Sequence, residues 1–342
     1  MSGLGTSVAA LLGAVASISS AAAADEALVT AAKREGQLVW YTTQIINQLA
    51  QPVADAFGKK YGIKVQVVRA DAAEITLRIM SEAKAGKVQA DVFDGTASSP
   101  PLKRAGLVLK WQPESAKTFG AQYIDKEGYW IATNQYVIAP SFNTELVKRG
   151  TEPKTWTDLL DPKYAGKMAV SSGASTSGGA GLTGTVLHDM GEEKGMEFLR
   201  KLATQKVAVI ASSARTVTDQ VMQGEYAIGL MMSNNQPVSS ARLGAPVDTL
   251  RWSSSLAAVS AVAVLKDAPH PNAGKLLLEF LISEDGQKLF ADADYLPVNP
   301  AVPAKEPRLT PQGGQFTTFN LTPEEVDEKI GGWDKIFKAL FK

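Results

Sequence analysis

The chain has 342 residues, no cysteine and two histidines, and its 35 basic side chains balance its 35 acidic ones. The absence of cysteine excludes a disulfide framework, a thiolate metal site and a thiol nucleophile. Zero net charge provides no chain-wide basic field, so nucleic acid is not expected as a partner. Apolar residues make up 45% of the chain, and at about 150 residues per domain the length indicates two domains.

The first segment has the features of an export signal. Residues 1–24 contain no charged side chain, and an apolar run from Ser7 to Ile18 is followed by small residues up to Ala24. These are the apolar and cleavage regions of a secretory signal peptide, although no Lys or Arg precedes the run. The run is shorter than the roughly 20 residues that span a bilayer. The sequence therefore predicts a signal peptide at residues 1–24 and a periplasmic protein.

Beyond this segment, the apolar periodicity alternates between that of strands and that of helices. A first series has strands at Gln37–Tyr41, Ile63–Val68 and Ala90–Phe93, and helices at Asn47–Tyr61 and Ala72–Ala85. A second series has strands at Lys167–Val170, Val207–Ile210 and Ala227–Met231, and helices at Glu193–Ala203 and Thr216–Gln223. Three further helices are predicted at Asn272–Ile282, Glu284–Ala291 and Pro323–Phe341. This alternation favours an α/β protein whose parallel sheets are covered by helices.

Two longer apolar runs, Tyr136–Phe142 and Leu256–Leu265, bracket the second series. We interpret them as a pair of strands that cross between two lobes. Hinge bending is then expected near Ala139 and near residues 257–259 of these strands.

Several segments of the chain resemble, in order and with suitable spacing, the periplasmic solute-binding proteins of the ferric-iron type. The matching stretches are residues 35–44, 90–94, 102–107, 156–167, 224–229, 269–280 and 295–300. The resemblance implies a two-lobed type II periplasmic-binding-protein clamshell with two crossing hinge strands. It also implies a function in which a captured solute is delivered to the permease of an ABC importer in the inner membrane.

On this resemblance the chain divides into four parts. Residues 1–24 are the signal peptide, residues 25–138 and 258–305 form lobe 1, and residues 139–257 form lobe 2. Residues 306–342 form a C-terminal helical segment that packs on the lobes.

The positions that bind iron in that family carry other residues here. The histidine expected after the first strand matches Ile45, and the glutamate expected after the third matches Thr96. The paired tyrosines expected after the Gly-Glu motif are replaced by the run Met231–Gln236. Ferric iron is a hard cation that needs anionic oxygen or imidazole donors. The sequence thus favours a ligand other than bare ferric iron, while an iron–anion complex held through its anion stays open as an alternative.

Four polar loops are expected to meet in the cleft, each following a strand and preceding a helix. Free backbone N–H groups at helix starts favour negative charge, and Arg215 would add a charge-assisted grip on a carboxylate or phosphate. The predicted ligand is therefore a small anion. The candidate ligand-binding residues are Thr42, Thr43, Gln44, Thr96, Ser98, Ser172, Ser177, Gly178, Ser212, Arg215, Asn234 and Gln236.

Plainer interpretations of these residues remain open. Ser and Thr before helices are frequently simple N-caps, and Arg215 is equally well a solvated helix charge. Arg69 is assigned to the surface, and Asp91 and Asp94 to structural roles. Tyr136 and Trp252 are the aromatic candidates for the cleft.

We expect a binding protein, without cofactor or resident metal, that works as a monomer. The alternative is an enzyme on the same fold. Enzymes of this architecture tend to use a cysteine nucleophile, which this chain lacks. A serine nucleophile would need a nearby base, and neither His188 nor His270 follows a candidate loop.

Overall fold

The computed structural model describes residues 16–251 and 254–342, with side chains from residue 26 onward. Most of the predicted signal peptide therefore lies outside the described residues, as does Trp252. The first described helix already begins at Ala16 and runs through the expected cleavage position to Glu35.

The structure contains eleven described strands. They are β1 Gln37–Thr42, β2 Lys64–Arg69, β3 Val92–Gly95, β4 Ile131–Asn143, β5 Met168–Ser171, β6 Ala208–Ile210, β7 Ile228–Ser233, β8 Val247–Thr249, β9 Ser255–Val264, β10 Leu296–Pro297 and β11 Thr318–Leu321.

Twelve α-helices are described alongside them. They are α1 Ala16–Glu35, α2 Gln51–Tyr61, α3 Ala72–Lys84, α4 Ser99–Arg104, α5 Gly179–Met190, α6 Glu192–Thr204, α7 Ala214–Met222, α8 Asn235–Arg242, α9 Pro271–Ile282, α10 Glu284–Asp292, α11 Pro311–Gly314 and α12 Pro323–Leu340.

The sheet joins two parallel halves through two antiparallel strands. Its order is β2-β1-β3-β9-β4-β7-β5-β6. Strand β1 runs parallel to β2 and β3, and β5 runs parallel to β6 and β7. Between the halves, β9 and β4 pair with each other and with β3 and β7, all antiparallel. These are the two crossing strands that the apolar runs predicted.

Strand β4 begins earlier than its apolar run indicates. Residues Ile131 to Gln135 already pair with β9, with a register shift between Ala132 and Asn134. The polar triplet 133–135 interrupts the apolar pattern, although Thr133 and Asn134 are fully buried. A buried polar side chain needs hydrogen-bond partners, and those of this strand come from the junction between the lobes.

Two large apolar clusters lie on either side of the crossing strands. One draws its buried residues from 32–132 and 259–298, and the other from 138–258 and 321–341. We refer to the half that carries β1, β2 and β3 as lobe 1 and the half that carries β5, β6 and β7 as lobe 2. The residue limits given above for the lobes remain a prediction, which the composition of the clusters supports.

The C-terminal segment packs mainly on lobe 2. Strand β11, which the sequence did not predict, pairs in parallel with β9. Helix α12 then starts at a capping box formed by Thr322 and Glu325, in which each side chain satisfies a free N–H group. Its Trp333 and Phe337 lie directly on α5, where Gly184 and Gly179 leave no space for a Cβ atom.

Candidate functional site

Polar side chains meet where the crossing strands pass the end of β1. Gln44, which follows β1, donates from Nε2 to Asn134 Oδ1 at 3.1 Å and to Ser260 Oγ at 3.4 Å. Its Oε1 accepts from the Tyr136 hydroxyl at 3.2 Å. The rings of Tyr136 and Tyr295 meet edge to face, with centroids 5.9 Å apart. We call Gln44, Asn134, Tyr136 and Tyr295 the cleft floor.

One group of the floor has no partner of its own. Asn134 is fully buried, and its Oδ1 accepts from both Gln44 and Thr133. Among the described residues its Nδ2 has no hydrogen-bond partner, while the amide acts to lower the pKa of the Tyr136 hydroxyl against the larger effect of burial. A buried donor without a good acceptor is unfavourable, so this amide is available to a new acceptor.

Asp94 anchors the loop beside the floor. Its Oδ2 accepts from Trp40 Nε1 at 2.8 Å, and its Oδ1 accepts from the backbone N–H and the hydroxyl of Thr43 at 3.0 and 2.8 Å. Burial raises the pKa of this carboxyl above its usual range, against the opposing effect of those hydrogen bonds. Because its oxygens already accept these donors, Asp94 supports the loop rather than offering a free carboxylate.

The pKa of the Tyr295 hydroxyl is affected by charged residues from both lobes. Burial is the main cause that raises the pKa of its hydroxyl to about 12, and the negative charge of Asp94 adds to that effect. The backbone N–H of Ile45 and the positive charges of Arg69 and Arg215 lower this pKa. Because burial outweighs them, the hydroxyl stays neutral at ordinary pH.

The two arginines come from opposite lobes. Arg69 ends β2 in lobe 1, and Arg215 lies in the first turn of α7 in lobe 2. Their side chains are 42% and 44% exposed, so both remain accessible from solvent. Arg215 pairs with Asp219 one turn further along α7 at 2.9 Å, and Arg69 approaches Asp71 at 3.8 Å. Exposed pairs of this kind are weak, so an anion can compete for either guanidinium.

The remaining lobe 1 candidates lie in two short loops. Thr42 is buried and its hydroxyl accepts from the Gln44 backbone N–H at 3.0 Å, while Thr43 is bonded to Asp94. In the loop after β3, Ser98 is buried and donates to the carbonyl of Ala72 at 3.2 Å, whereas Thr96 is only partly buried.

The lobe 2 candidates lie in two loops that are bonded to each other. Ser171 Oγ donates to the carbonyl of Ser212 at 2.6 Å, and the Ser172 N–H donates to the carbonyl of Ile210 at 2.9 Å. Ser212 shares a hydrogen bond of 2.8 Å with Thr216.

The start of α5 faces the same pair of loops. Gly178 precedes the helix, and a Cβ atom there would lie 2.2 Å from the carbonyl oxygen of Gly173. Ser177, next to it, is partly buried. The serine and glycine content of this loop thus follows from close backbone packing at the end of β5.

Asn234 and Gln236 are used for internal contacts. The Asn234 N–H donates to the carbonyl of Val137 at 2.8 Å, and its side-chain amide donates to the carbonyl of Leu309 at 3.4 Å. Gln236 Oε1 accepts from the hydroxyl of Thr218 at 3.0 Å. The structure therefore places Gln44 in the floor and Thr43 in the loop beside it, whereas these two amides have other partners.

Sequence reasoning did not select Asn134, Tyr295 or Arg69 as ligand-binding candidates. Two signals pointed toward the first two: the polar triplet inside a crossing strand, and the Tyr-Leu-Pro stretch at residues 295–297, which belongs to the family resemblance. Arg69 has no local signal, because a charged residue at a strand end is normally solvated.

The floor is poorly suited to a bare ferric ion. Among the residues that the structure describes, no cluster of three or more His, Asp or Glu side chains could hold a metal ion. The run Met231–Gln236, where the resemblance places the family's paired tyrosines, contains no tyrosine, and its Met231 and Met232 side chains are fully buried. Burial also raises the pKa of the Tyr136 hydroxyl well above its usual range, which disfavours a phenolate. The floor offers neutral hydrogen-bonding groups rather than the anionic oxygen or imidazole donors that ferric iron needs.

Comparison with known proteins places the chain in a family. Residues 53–313 match the model of the bacterial extracellular solute-binding proteins, and the chain belongs to that family. Among its relatives is a putative 2-aminoethylphosphonate-binding periplasmic protein of Salmonella typhimurium. The two are 23% identical over 90% of this chain and 86% of the relative.

Two solved structures have the same fold. Iron-bound HitA from Pseudomonas aeruginosa superposes with a TM-score of 0.75 at 23% identity, over 89% of this chain and 99% of the other. The periplasmic binding protein AfuA from Actinobacillus pleuropneumoniae, with fructose-6-phosphate bound, gives 0.69 at 21% identity over 89% and 99%. The predicted α/β clamshell of periplasmic binding proteins is thereby confirmed. Within the described part of the chain, no helix has the length and apolar character needed to cross a membrane.

Proposed function

We propose that this solute-binding protein is the periplasmic component of an ABC importer and that its cargo is a small organic anion of the phosphonate or phosphate-ester class. The observation that carries the proposal is that Arg69 and Arg215, which come from opposite lobes and are both accessible to solvent, each act electrostatically on the pKa of the Tyr295 hydroxyl. A doubly charged anion between them would satisfy both guanidiniums. The names of the Salmonella relative and of the AfuA complex support this cargo class.

Binding and lobe closure are one event in this proposal. The lobes rotate about the crossing strands β4 and β9, and an anion held by Arg69 stabilises the closed arrangement when Arg215 reaches it. The loop residues Thr43, Thr96 and Ser177 then provide neutral hydrogen bonds around the anion. The closed lobes present the surface that the permease binds.

A catalytic function is disfavoured by the positions of both histidines. His270 binds Asp91 with its backbone N–H and, at 3.0 Å, with Nδ1. His188 stacks on Phe319 with ring centroids 3.9 Å apart. Neither imidazole adjoins the floor, so no general base is available there for a serine or threonine hydroxyl.

The second candidate cargo is a ferric–anion complex. It is favoured by one observation, the overall similarity to iron-bound HitA. In this version the anion occupies the same pair of arginines and carries the metal with it. A bare ferric ion is not supported, because the run Met231–Gln236 contains no tyrosine and so provides no phenolate.

A thermal-shift screen tests the proposal. The protein is unfolded and refolded to remove carried ligand, then mixed with 2-aminoethylphosphonate, fructose-6-phosphate, inorganic phosphate, ferric citrate, or ferric chloride with carbonate. A ligand at 100 times its Kd stabilises the fold by about 2.7 kcal/mol, which moves Tm by several degrees. We expect a shift with a phosphonate or phosphate ester. A shift only with ferric salts, whatever the counter-anion, would contradict the proposal.

The variant Arg215→Ala tests whether this arginine contacts the anion. Removing one guanidinium from a charge-assisted contact should weaken anion binding by about 1.5–3 kcal/mol, which is roughly 10- to 100-fold in Kd. Arg200→Ala, an exposed arginine of α6 in the same lobe, is the control and should bind like the unmodified protein. An equal Kd in both variants would remove Arg215 from the site.

A further inference from the structure

An ion pair joins the two lobes directly. Arg242, in the last turn of α8 in lobe 2, donates from Nη1 to Oδ1 of Asp294 at 2.7 Å and from Nη2 to Oδ2 at 2.5 Å. Asp294 lies in the turn between α10 and β10, between Ala293 and Tyr295 of the lobe 1 cluster. This is the two-bond geometry in which arginine recognises a carboxylate most strongly. The contact therefore depends closely on the position of α8 relative to lobe 1.

Asp294 needs this partner because it is buried. Its side chain is 3% exposed, whereas that of Arg242 is 41% exposed. Removing one partner of a buried ion pair leaves an uncompensated charge and is strongly unfavourable. A rotation of lobe 2 that moved α8 away from the turn would have the same effect. The pair should therefore resist such a rotation.

The chain after β10 adds contacts between the same elements. A small apolar cluster joins β4, α8, β10 and the turn Pro307–Leu309, and its buried members are Val137, Val238, Leu296 and Leu309. The side-chain amide of Asn234, which precedes α8, donates to the carbonyl of Leu309 at 3.4 Å. These contacts hold α8 beside the crossing strand, and Arg242 at the end of the helix then reaches Asp294.

We propose that Arg242 and Asp294 form an inter-lobe latch, which holds the lobes of the free protein in the arrangement seen in this structure. The latch sets the population of this arrangement before cargo binds. A ligand that favours the arrangement then needs less binding free energy to establish it. This inference goes beyond the proposed function and does not depend on the class of cargo, because it concerns contacts within the protein.

Neighbouring charges do not provide an equivalent contact. Glu306 and Arg308 lie near Arg242, but they bind each other, with Arg308 donating from Nε and Nη2 to the two carboxylate oxygens at 3.0 Å. A second ion pair between the lobes, Arg104 of α4 with Asp327 of α12, has its arginine 64% exposed. Exposed pairs contribute little to stability, so the latch is the stronger connection.

The absence of cysteine from the chain allows the latch to be tested with two spin labels. Glu74→Cys on α3 in lobe 1 and Glu193→Cys on α6 in lobe 2 place one label on each lobe, at exposed positions. Pulsed electron resonance then measures the distribution of distances between the lobes in the free protein. We expect a narrow distribution for the labelled parent. Removal of the latch should broaden it toward distances that the parent rarely samples.

Two latch variants separate the loss of the pair from the effect of a stranded charge. Arg242→Gln leaves a buried carboxylate without its cation, whereas Asp294→Asn leaves no buried charge. Asparagine also tolerates the left-handed backbone of this position, where φ is +62°, better than most residues do. Both variants should broaden the distribution to a similar extent.

Arg149→Gln is the matched control. Arg149 is likewise an exposed arginine that pairs with a buried aspartate, Asp248, but within lobe 2. Its replacement should leave the distribution of the labelled parent unchanged.

An unchanged distribution in Asp294→Asn would overturn the proposal, even if Arg242→Gln broadened it, because a stranded carboxylate would then be the cause. Equal broadening in Arg149→Gln would also overturn it, since the loss of any arginine–aspartate pair would then suffice. Urea unfolding checks that each variant is folded under the conditions of the measurement, and if Arg242→Gln is not, Asp294→Asn decides. No cargo is present, so the result is independent of the proposed function.

Discussion

Asp94 is a buried acidic residue whose side chain stabilises the loop after β1. Its oxygens accept from Trp40 on β1 and from the backbone and hydroxyl of Thr43. The pKa of the carboxyl is nevertheless raised by burial. A group whose folded pKa is raised contributes most at low pH, and this contribution is lost as the pH rises above its unfolded value of about 3.9. The hydrogen bonds from Trp40 and Thr43 oppose this rise in pKa, because they stabilise the ionised form of the carboxyl group.

Replacement of Asp94 by asparagine should destabilise the protein. An Asn side chain presents one NH₂ group to a position where Trp40 or Thr43 already donates, so one buried donor loses its acceptor. The expected loss is about 1–3 kcal/mol, measured as the free energy of unfolding in urea. The control is Asp55→Asn, an exposed residue of α2, which should change stability by no more than about 0.5 kcal/mol. Equal stability of both variants would contradict the assignment.

Of the individual residues at the candidate site, the sequence predicted some but not all. Gln44 was selected because it follows a strand, and it binds Tyr136 at the floor. Asn134 and Tyr295 were not selected as ligand-binding residues, because their placement depends on contacts over long separations. Asn134 pairs with Ser260 across the crossing strands, and the Tyr295 ring packs on that of Tyr136 from 159 residues away in the chain. Contacts between residues so far apart in the chain cannot be predicted from local sequence patterns.

Among the elements, α5 and α12 form the closest helix contact. A Cβ atom at Gly184 would lie 2.5 Å from the Trp333 ring, and one at Gly179 would lie 2.3 Å from Phe337. Glycine at these positions lets α12 approach α5, and α12 also reaches lobe 1. There Glu324 accepts from Trp130 Nε1 at 2.9 Å. The C-terminal helix thus contacts both lobes beside the crossing strands.

Two glycine-to-alanine changes separate packing from helix propensity. Gly184→Ala forces the Trp333 ring to move and should destabilise the protein by about 1–3 kcal/mol. Gly331→Ala lies inside α12 with nothing within 4 Å of the new Cβ, and should stabilise by about 0.5–1 kcal/mol through helix propensity alone. Chemical unfolding measures both. Stabilisation by Gly184→Ala would contradict the packing described here.

The elements themselves were predicted well where the periodicity was strong. The strands and helices of both lobes lie within a few residues of their expected bounds, and Gly62 ends α2 in the left-handed conformation. Strand β11 and helix α8 were missed. Strand β11 is only partly buried, so its apolar pattern is weak. Asn234 immediately precedes helix α8 and Gln236 lies in its first turn, and sequence reasoning interpreted both as ligand donors.

For the whole molecule, the proposed cleft draws residues from both lobes. Arg69 comes from lobe 1 and Arg215 from lobe 2, and the charges of both affect the pKa of the Tyr295 hydroxyl. In the proposed mechanism the lobes rotate about the crossing strands while the floor stays bonded through Gln44 and Asn134. A ligand that engages both arginines must hold the lobes together. The effects of the two arginines on binding are then coupled, because residues that share one partner do not act additively.

The most direct test is the Kd of 2-aminoethylphosphonate, measured by calorimetry, for the unmodified protein, Arg69→Ala, Arg215→Ala and the double variant. We predict that each single change weakens binding at least tenfold and that the double change weakens it by less than the product of the two. Either arginine alone would then be insufficient to hold the lobes on the ligand. Full affinity in both single variants, or binding of ferric citrate but not of the phosphonate, would contradict an organic-anion cargo held between the lobes.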